Sequence, residues 1–408
     1  MRSVDEHRRI VGGLISARPP AATTLSEALG LVLARDVVAP LALPMFDNSA
    51  MDGYAVRAED LAGAGPDQPV PLPVIEDIPA GRTDLLRLTP GTAHRIMTGA
   101  PMPAGANAVV PVEATDGGMP TVKIRATPMP GRHVRRRGED VTAGTPVLRA
   151  GQVITPGALG LVAALGLDRL TVLPRPRVLV ISTGSELVAA GGALAPGQIY
   201  ESNAVMLAAA VRDSGAALLD TATCGDDIAQ FRALLDGWAG SADLVITSGG
   251  VSAGAYEVVK DAFGAATGGA DVDFVKVAMQ PGMPQGVGRI PGAAGAPDCA
   301  IVTLPGNPVS ALVSFEVFIR PALRTAMGMP HPERPRRTAL LAGALTSPAG
   351  KRQFRRGVYD PAAGTVTSYG PPASHHLRWL ASANCLLDIG EDVTDIAAGQ
   401  PVQIWDLS

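Results

Sequence analysis

The sequence predicts a multidomain α/β plus β protein whose central segment, residues 173–328, forms a doubly wound α/β sheet. Three observations lead there. From Val178 onward, short apolar runs such as "VLVIS" (178–182), "DLVITS" (243–248) and "AIVTL" (300–304) alternate with stretches of helical spacing. Between residues 41 and 143 the chain reads instead as short β-like pieces broken by Gly and Pro. After Pro330 the alternation stops, and "GTVTSYG" (364–370) and "PVQIWDL" (401–407) suggest a small β-barrel or sandwich over 329–408.

Taken in order, Ser3-Val-Asp-Glu6 is a capping box, and Ile10, Val11, Leu14 and Ile15 share one face of the amphipathic helix that Pro19-Pro20 closes. Thr24-Leu-Ser-Glu27 repeats the device for a second helix carrying Leu25, Ala28, Leu29 and Val32. "DVVAPLALP" (36–44) then passes into extended, proline-punctuated chain. Residues 1–40 and 144–172 are read as one helical domain, with 41–143 inserted into it and ending in the charged loop "RRRGED" (135–140). Thr155-Pro156 opens a helix through Leu159, Leu161, Val162 and Leu165, and "LPRPR" (173–177) is a linker. Beyond it the pattern predicts helices around Asn203–Asp213, 227–238 and 256–264, strands near Ala216–Leu219 and 272–278, and a helix after Pro308.

A chain of 408 residues is too long for one core. Its 47% hydrophobic but only 4% aromatic residues, with 47 Gly and 36 Pro, suit turn-rich chain packed through small side chains. A net charge of −4 provides no global positive field for nucleic acid or an anionic membrane, so any anion is bound locally. Cys224, Cys299 and Cys385 are odd in number and widely spaced, which speaks against a disulfide framework or zinc finger. Asp5 and Glu6 stand where a signal peptide needs apolar residues, and no run reaches membrane-span length, so a cytoplasmic location is expected.

Three strands of the α/β segment end in glycine-bearing turns: "STGSEL" (182–187), "TSGGVSAG" (247–254) and "LPGNPVS" (304–310). In a parallel sheet such ends share one edge, where ligands bind. Each turn alone passes for a tight βα connection; three in equivalent places predict one crevice. It would offer the turns of Gly184, Gly249, Gly250 and Gly306, the hydroxyls of Ser182, Thr183, Ser185, Ser248, Ser252 and Ser310, and few cations. That inventory suits the phosphate of a larger organic ligand. In Pro305-Gly306-Asn307-Pro308, proline fits the first helical turn, Asn307 can cap it, and Gly306 lets the backbone approach a ligand. Neither a Walker A sequence nor G-x-G-x-x-G is present. Glu186, Asp226 and Glu257 lie at strand ends, as ligands for a phosphate-bound Mg²⁺ or as ordinary helix-start acids.

Seven runs over nearly the whole chain resemble, in order, the motifs of the molybdopterin molybdenumtransferase (MoeA) family, which includes the C-terminal domain of gephyrin. They are "FDNSAMDGYAV" (46–56), "RIMTGAPMPAGANAVVPVE" (95–113), "RRRGEDV" (135–141), "STGSEL", "GQIYESN" (197–203), "SGGVS" and "LPGNPVSALVSFEVF". The resemblance implies that adenylylated molybdopterin is bound, molybdate is inserted into its dithiolene with Mg²⁺, and AMP leaves. It implies a MogA-like α/β domain, an elongated helical domain used in dimerisation, an inserted β domain and a C-terminal β-barrel. It implies a homodimer whose cleft joins the α/β domain of one chain to the inserted domain of the other, with molybdopterin adenylyltransferase and molybdoenzyme maturation factors as further partners. It assigns active-site positions to Asp52, Thr98 and Asp140. Glu186 and Asp226 would help place the metal and the pterin-phosphate linkage, and Ser248, Gly249, Gly250, Pro305 and Asn307 would surround the phosphate.

The chain departs from the family at several points. Glu257 stands where Asp is frequent and Ala255 where an acid is. Lys276 is kept, whereas Gln280 and Met283 occupy frequent lysine positions, so Arg352, Arg355 or Arg356 of "KRQFRRG" are expected to supply the missing charge. "GPPASHHLRWLASANCL" (370–386) keeps Ser374-His375, with His375 and His376 read as loop residues. A molybdopterin adenylyltransferase, or a non-catalytic molybdopterin carrier or scaffold, is the alternative function.

Overall fold

The structure is a computed structural model of the 408-residue chain; it describes every residue except Ala239, 251–257, 264–270 and 292–297. Contacts divide the chain into two units, Met1–Ala21 with Thr171–Ser408, and Ala22–Leu170.

In the first unit a six-stranded sheet runs Ala217–Cys224, Arg177–Thr183, Leu244–Ser248, Cys299–Leu304, Pro284–Ile290, Asp271–Lys276. The first four strands are parallel and the last two antiparallel. Side chains alternate across a strand, and the two faces are covered separately. Val178, Val180, Leu244 and Ile246 pack with Leu207 and Val211 of helix Asn203–Ser214. Leu179, Ile181 and Val245 pack with Phe231 and Leu235 of helix Ile228–Trp238 on the other side. The sheet is therefore doubly wound. Register holds Ser182 abreast of Ser248, and Ser248 abreast of Leu304, so three strand ends finish level.

The strand Pro284–Ile290 ("PQGVGRI") escapes sequence patterning because Pro and two glycines obscure it. Gly288 is needed there: a Cβ would run into the Asp271 carbonyl of the paired strand. Strand Ala217–Cys224 is longer than its apolar start suggests because it pairs with Arg177–Thr183 to the end. The predicted 256–264 helix is described over Val258–Ala262. The helix after Pro308 runs Pro308–Ser314, loosens into a π-turn at Phe315–Ile319 and resumes as Arg320–Ala326. The N-terminal helix Val4–Leu14 is capped by Ser3, whose hydroxyl oxygen accepts the Glu6 amide at 3.2 Å. It buries Val4 and Val11 in the cluster that holds Val178.

Residues 329–408 close into a barrel rather than a sandwich. Strands Arg352–Asp360, Thr365–Ser368, Arg336–Leu341, Pro401–Asp406 and Cys385–Ile389 pair in that order, and the last returns to the first. The short strand Met279–Gln280 adds itself in parallel to Arg352 and Gln353.

In the second unit, strands Ala108–Pro111, Gly53–Val56, Ala93–Ile96, Val70–Ile78 and Thr121–Ile124 form a five-stranded sheet over a core containing Tyr54, Val56, Leu61 and Ile124. The second predicted helix shrinks to Leu25–Ala28. Thr24 donates to the Glu27 carboxylate at 2.8 Å instead of capping an amide, and Val32 and Leu33 are strand residues. Helix Pro156–Ala164 has the expected cap, the Thr155 hydroxyl oxygen accepting the Ala158 amide at 3.2 Å.

Candidate active site

At the level strand ends of the first unit lies a cleft of about 1220 Å³, walled on one side by the barrel. Its lining includes Ser182, Thr183, Gly184, Glu186, Asp226, Ser248, Gly249, Gly250, Pro305, Gly306, Asn307 and Ser310, so the three glycine-bearing turns do meet. Ser252 and Glu257 lie outside the described residues. Lys276 is exposed at the end of the outermost strand and is not in the lining, because the chain turns there and presents Met279, Gln280, Met283 and Pro284 to the cleft.

The turns are tied together by side chains with no predicted role. Ser182 donates its hydroxyl proton to Glu201 at 2.8 Å, and the same carboxylate oxygen accepts the Ala204 amide at 2.6 Å. Asn203 donates to the Ser248 hydroxyl at 2.8 Å and to the Gly306 carbonyl at 2.6 Å, spanning two turns. Asn307 makes no side-chain cap bond, so the expected cap of the Pro308–Ser314 helix is not formed, and it is Asn203, donating to the Gly306 carbonyl, that fastens this turn. Gly249 has φ +95° and donates its amide to the Leu304 carbonyl at 3.1 Å. Glu201 and Asn203 sit in "GQIYESN", a motif whose polar residues could have been found as the partners that buried strand-end hydroxyls require.

Asp226 and Ser185 clasp reciprocally. The Ser185 amide donates to the Asp226 carboxylate at 3.1 Å, and the Asp226 amide donates to the Ser185 hydroxyl at 3.0 Å. Glu186 is exposed, and its carboxylate folds over Gly184. Among the described residues no group of three His, Cys, Asp or Glu side chains converges as a metal site. Two carboxylates facing one cleft still fit Mg²⁺, which takes one or two carboxylates and completes its shell with phosphate oxygens and water.

The three arginines expected to supply charge do not line the cleft. Arg352 is bidentate to Asp388 at 2.7 Å for both bonds and reaches Asp5 at 3.0 Å. Arg355 donates to the Thr346 carbonyl at 3.2 Å. Arg356 donates to the carbonyls of Ala373 and His376, each at 3.2 Å, and to that of Pro371. Burial lowers the pKa of Arg355 and Arg356 from its ordinary value. Arg356 thereby holds the loop that brings Ser374 and His375 into the lining. The His375 and His376 rings meet edge to face at 4.3 Å, as loop residues.

In the second unit Asp52 and Thr98 come together: the Thr98 amide and hydroxyl both donate to one Asp52 oxygen, at 2.6 and 2.8 Å. The amide bond first, then the hydroxyl bond, holds the Asp52 carboxyl below the usual carboxylate range. Asp140 is exposed, and no donor among the described residues reaches its carboxylate. Its loop is held by Asp47, which accepts the Arg137 amide at 2.8 Å and the Arg136 guanidinium at 2.6 Å. Asp47 went unassigned although it lies in "FDNSAMDGYAV".

Comparison with known proteins gives one answer along the chain. Residues 2–166 match the MoeA N-terminal region (domain I and II), 179–325 a probable molybdopterin binding domain, and 338–407 the MoeA C-terminal region (domain IV). The chain is 69% identical over 411 residues to molybdopterin molybdenumtransferase 2 of Mycobacterium tuberculosis, covering 100% of both. It is 38% identical to molybdopterin molybdenumtransferase 1 of the same organism, covering 99% of this chain and 98% of that one. The crystal structure of a molybdopterin biosynthesis MoeA protein from Pyrococcus horikoshii superposes with a TM-score of 0.79 at 27% identity, covering 100% of this chain and 99% of that one.

Proposed function

This chain belongs to the MoeA family of molybdopterin molybdenumtransferases, and from that membership we propose that it inserts molybdate into adenylylated molybdopterin, releasing AMP in molybdenum cofactor biosynthesis. The observation that carries the reading is the cleft in which three glycine turns, buried hydroxyls and the exposed carboxylates of Glu186 and Asp226 share one lining.

Insertion requires molybdate to exchange oxide for sulfur while a phosphoanhydride is cleaved, so positioning two anions and neutralising their charge supplies most of the catalysis. The turn amides and Ser248 are assigned to the phosphate, with Asn203 holding their spacing. Glu186 and Asp226 would hold Mg²⁺, which when bound supplies charge neutralisation at the phosphate oxygens. Asp52, ionised at neutral pH and bonded to Thr98 through one oxygen, keeps its second oxygen for a water or a proton. Asp140 is the other candidate for that task.

The reading includes a homodimer in which the inserted β segment of one chain serves the cleft of the other, and a cytoplasmic location. Three cysteines that are all free and buried support a reducing compartment. Among the described residues no helix is long and apolar enough to cross a membrane. The test is AMP release from adenylylated molybdopterin in Mg²⁺, with and without molybdate. Molybdate-dependent release is expected; release that ignores molybdate, or tight binding with no release, overturns the assignment.

A further inference from the structure

Glu186, Glu201 and Asp226 put carboxylates into the lining of a cleft that receives anions, and among the described residues Lys351 is its only lysine or arginine. Uncharged donors must therefore meet much of the ligand's negative charge. Where the donor is a carboxamide, its orientation decides whether it attracts or repels, because it carries NH₂ on one side and an acceptor oxygen on the other. Gln280 is the carboxamide of the Met279–Pro284 wall, and its Nε2 makes no hydrogen bond to any described residue.

The orientation is set from behind the wall. Strand Met279–Gln280 pairs in parallel with the start of strand Arg352–Asp360, and the register puts Gln280 beside Gln353. Gln353 is 3% exposed, and its Nε2 donates to the Gln280 Oε1 at 2.8 Å. Both residues line a second cavity of about 10 Å³, enough for a single water. Gln280, Pro281 and Pro372 line this cavity as well as the cleft, so only the wall separates the two. Arg355 lines it too, on the same face of the strand as Gln353, two residues on. Among the described residues the Arg355 guanidinium bonds only to the Thr346 carbonyl, at 3.2 Å, and the buried Gln353 Oε1 has no partner. A guanidinium has donors and no acceptor, so the group that faces it across a water is an oxygen. Gln353 thus keeps its oxygen for the cavity and its NH₂ for Gln280, and Gln280, meeting that NH₂ with its own oxygen, is left with its NH₂ for the cleft.

We propose that Gln353 is a positioning residue for the reaction: with a water held between its Oε1 and the Arg355 guanidinium, it turns the Gln280 carboxamide so that NH₂, and not oxygen, faces a tetrahedral oxyanion in the cleft, molybdate or the phosphate of the nucleotide ester. The proposal rests on the insertase reading above. A carboxamide held in this way donates to the anion without first having to reorient, whereas an unheld one is free to turn its oxygen on it.

The test is a double-mutant cycle on the full-length protein. Gln353→Glu keeps the shape, has Arg355 as its counter-charge and, as an acceptor only, takes the Gln280 NH₂ and turns the Gln280 oxygen into the cleft. Gln280→Met removes the amide that is being turned. Sodium molybdate and AMP are titrated by calorimetry against wild type, both single variants and the double variant. Gln353→Glu should melt with wild type and bind the anion it serves about tenfold more weakly, the loss of one hydrogen bond to a charged group. In the Gln280→Met background the same substitution should add almost nothing, since its effect passes through Gln280. A deficit for molybdate alone identifies the metal oxyanion as the group met, and a deficit for AMP alone identifies the phosphate; either supports the proposal. Equal deficits in the two backgrounds would mean that the new charge acts on the anion directly, and they overturn the proposal, as does wild-type affinity in Gln353→Glu. If Gln353→Glu does not fold, Gln353→Met takes its place in the cycle, with a smaller deficit expected because the Gln280 amide is then free rather than reversed. In a protein that still releases AMP with molybdate, these failures remove the role of Gln353 and leave the insertase reading standing. If wild type binds neither probe and releases no AMP, the insertase reading falls and takes the proposal with it.

Discussion

The hydroxyl of Ser182 donates to the buried carboxylate of Glu201, which also accepts the Ala204 amide in the first turn of the following helix. One carboxylate thus serves as acceptor for both a strand end and a helix start. Replacing Glu201 with Ala leaves two buried donors unpaired, a cost of about 1–3 kcal/mol for each group left without a partner. Glu201→Gln keeps an oxygen acceptor and should cost less than half as much. Urea unfolding of the two variants checks this, and equal stabilities would show that the carboxylate is not the fastening.

Two glycines of the cleft separate structural need from ligand need. Gly249 has φ +95°, and a Cβ there would lie 2.6 Å from the Thr183 carbonyl oxygen, so Gly249→Ala must strain the turn, by about 1–3 kcal/mol. A Cβ at Gly306 would meet only the Gly249 Cα at 3.5 Å and the Gly249 N at 4.0 Å, ordinary contacts, so Gly306→Ala should fold within about 0.5 kcal/mol of wild type. If close backbone approach to a ligand is what Gly306 provides, its alanine variant raises KM at unchanged melting temperature. An unchanged KM would assign Gly306 to the turn alone.

Thr98 holds the Asp52 carboxyl below the usual carboxylate range through two bonds, the amide contributing more than the hydroxyl. Thr98→Val deletes only the hydroxyl bond. The Asp52 titration, followed by carbon NMR of a labelled side chain, should move upward in pH but stay below that of a free aspartate. Both states remain ionised at neutral pH, so any loss of turnover in Thr98→Val reports misorientation of Asp52 rather than a changed charge. A titration that does not move would place the whole depression on the amide.

The doubly wound sheet was legible because its strands are apolar on both faces and so stand out as runs, as "VLVIS" and "AIVTL" do. Pro284–Ile290 was not, since two glycines that a close antiparallel partner demands erase the pattern that marks a strand. At the site, turns can be read locally, and the turns of Ser248 and Gly249 that line the cleft were read that way, whereas the cap read locally for Asn307 is not formed. Which cation reaches the cleft depends on barrel register and on Asp388 and Asp5 engaging Arg352, both set by residues far away in sequence. Four cations within six residues look alike in a sequence; only packing puts Lys351, and not the three arginines, into the cleft lining.

His7 carries the last prediction. It is fully buried, meets Phe318 edge to face at 4.7 Å, and has no partner for Nε2 among the described residues. Burial first, and the Arg2 charge second, lower its pKa from 6.5 to about 4, while Asp273 pulls weakly the other way. The fold therefore holds the neutral ring. A depressed native pKa gives stability that is complete above pH 6.5 and is lost as pH falls toward 4, amounting to about 3 kcal/mol if the ring is fully protonated in the unfolded chain. Buried His94, also lowered by burial, adds a term of the same sign, so the wild-type profile alone cannot apportion the loss. The difference between wild type and His7→Phe can: phenylalanine fills the ring's place beside Phe318 and does not titrate. Unfolding free energies measured from pH 7 to 4 should fall less steeply in His7→Phe, with the two curves diverging only below pH 6.5. Parallel curves would mean that His7 finds a proton partner in the native state and that the acid sensitivity of this unit originates elsewhere.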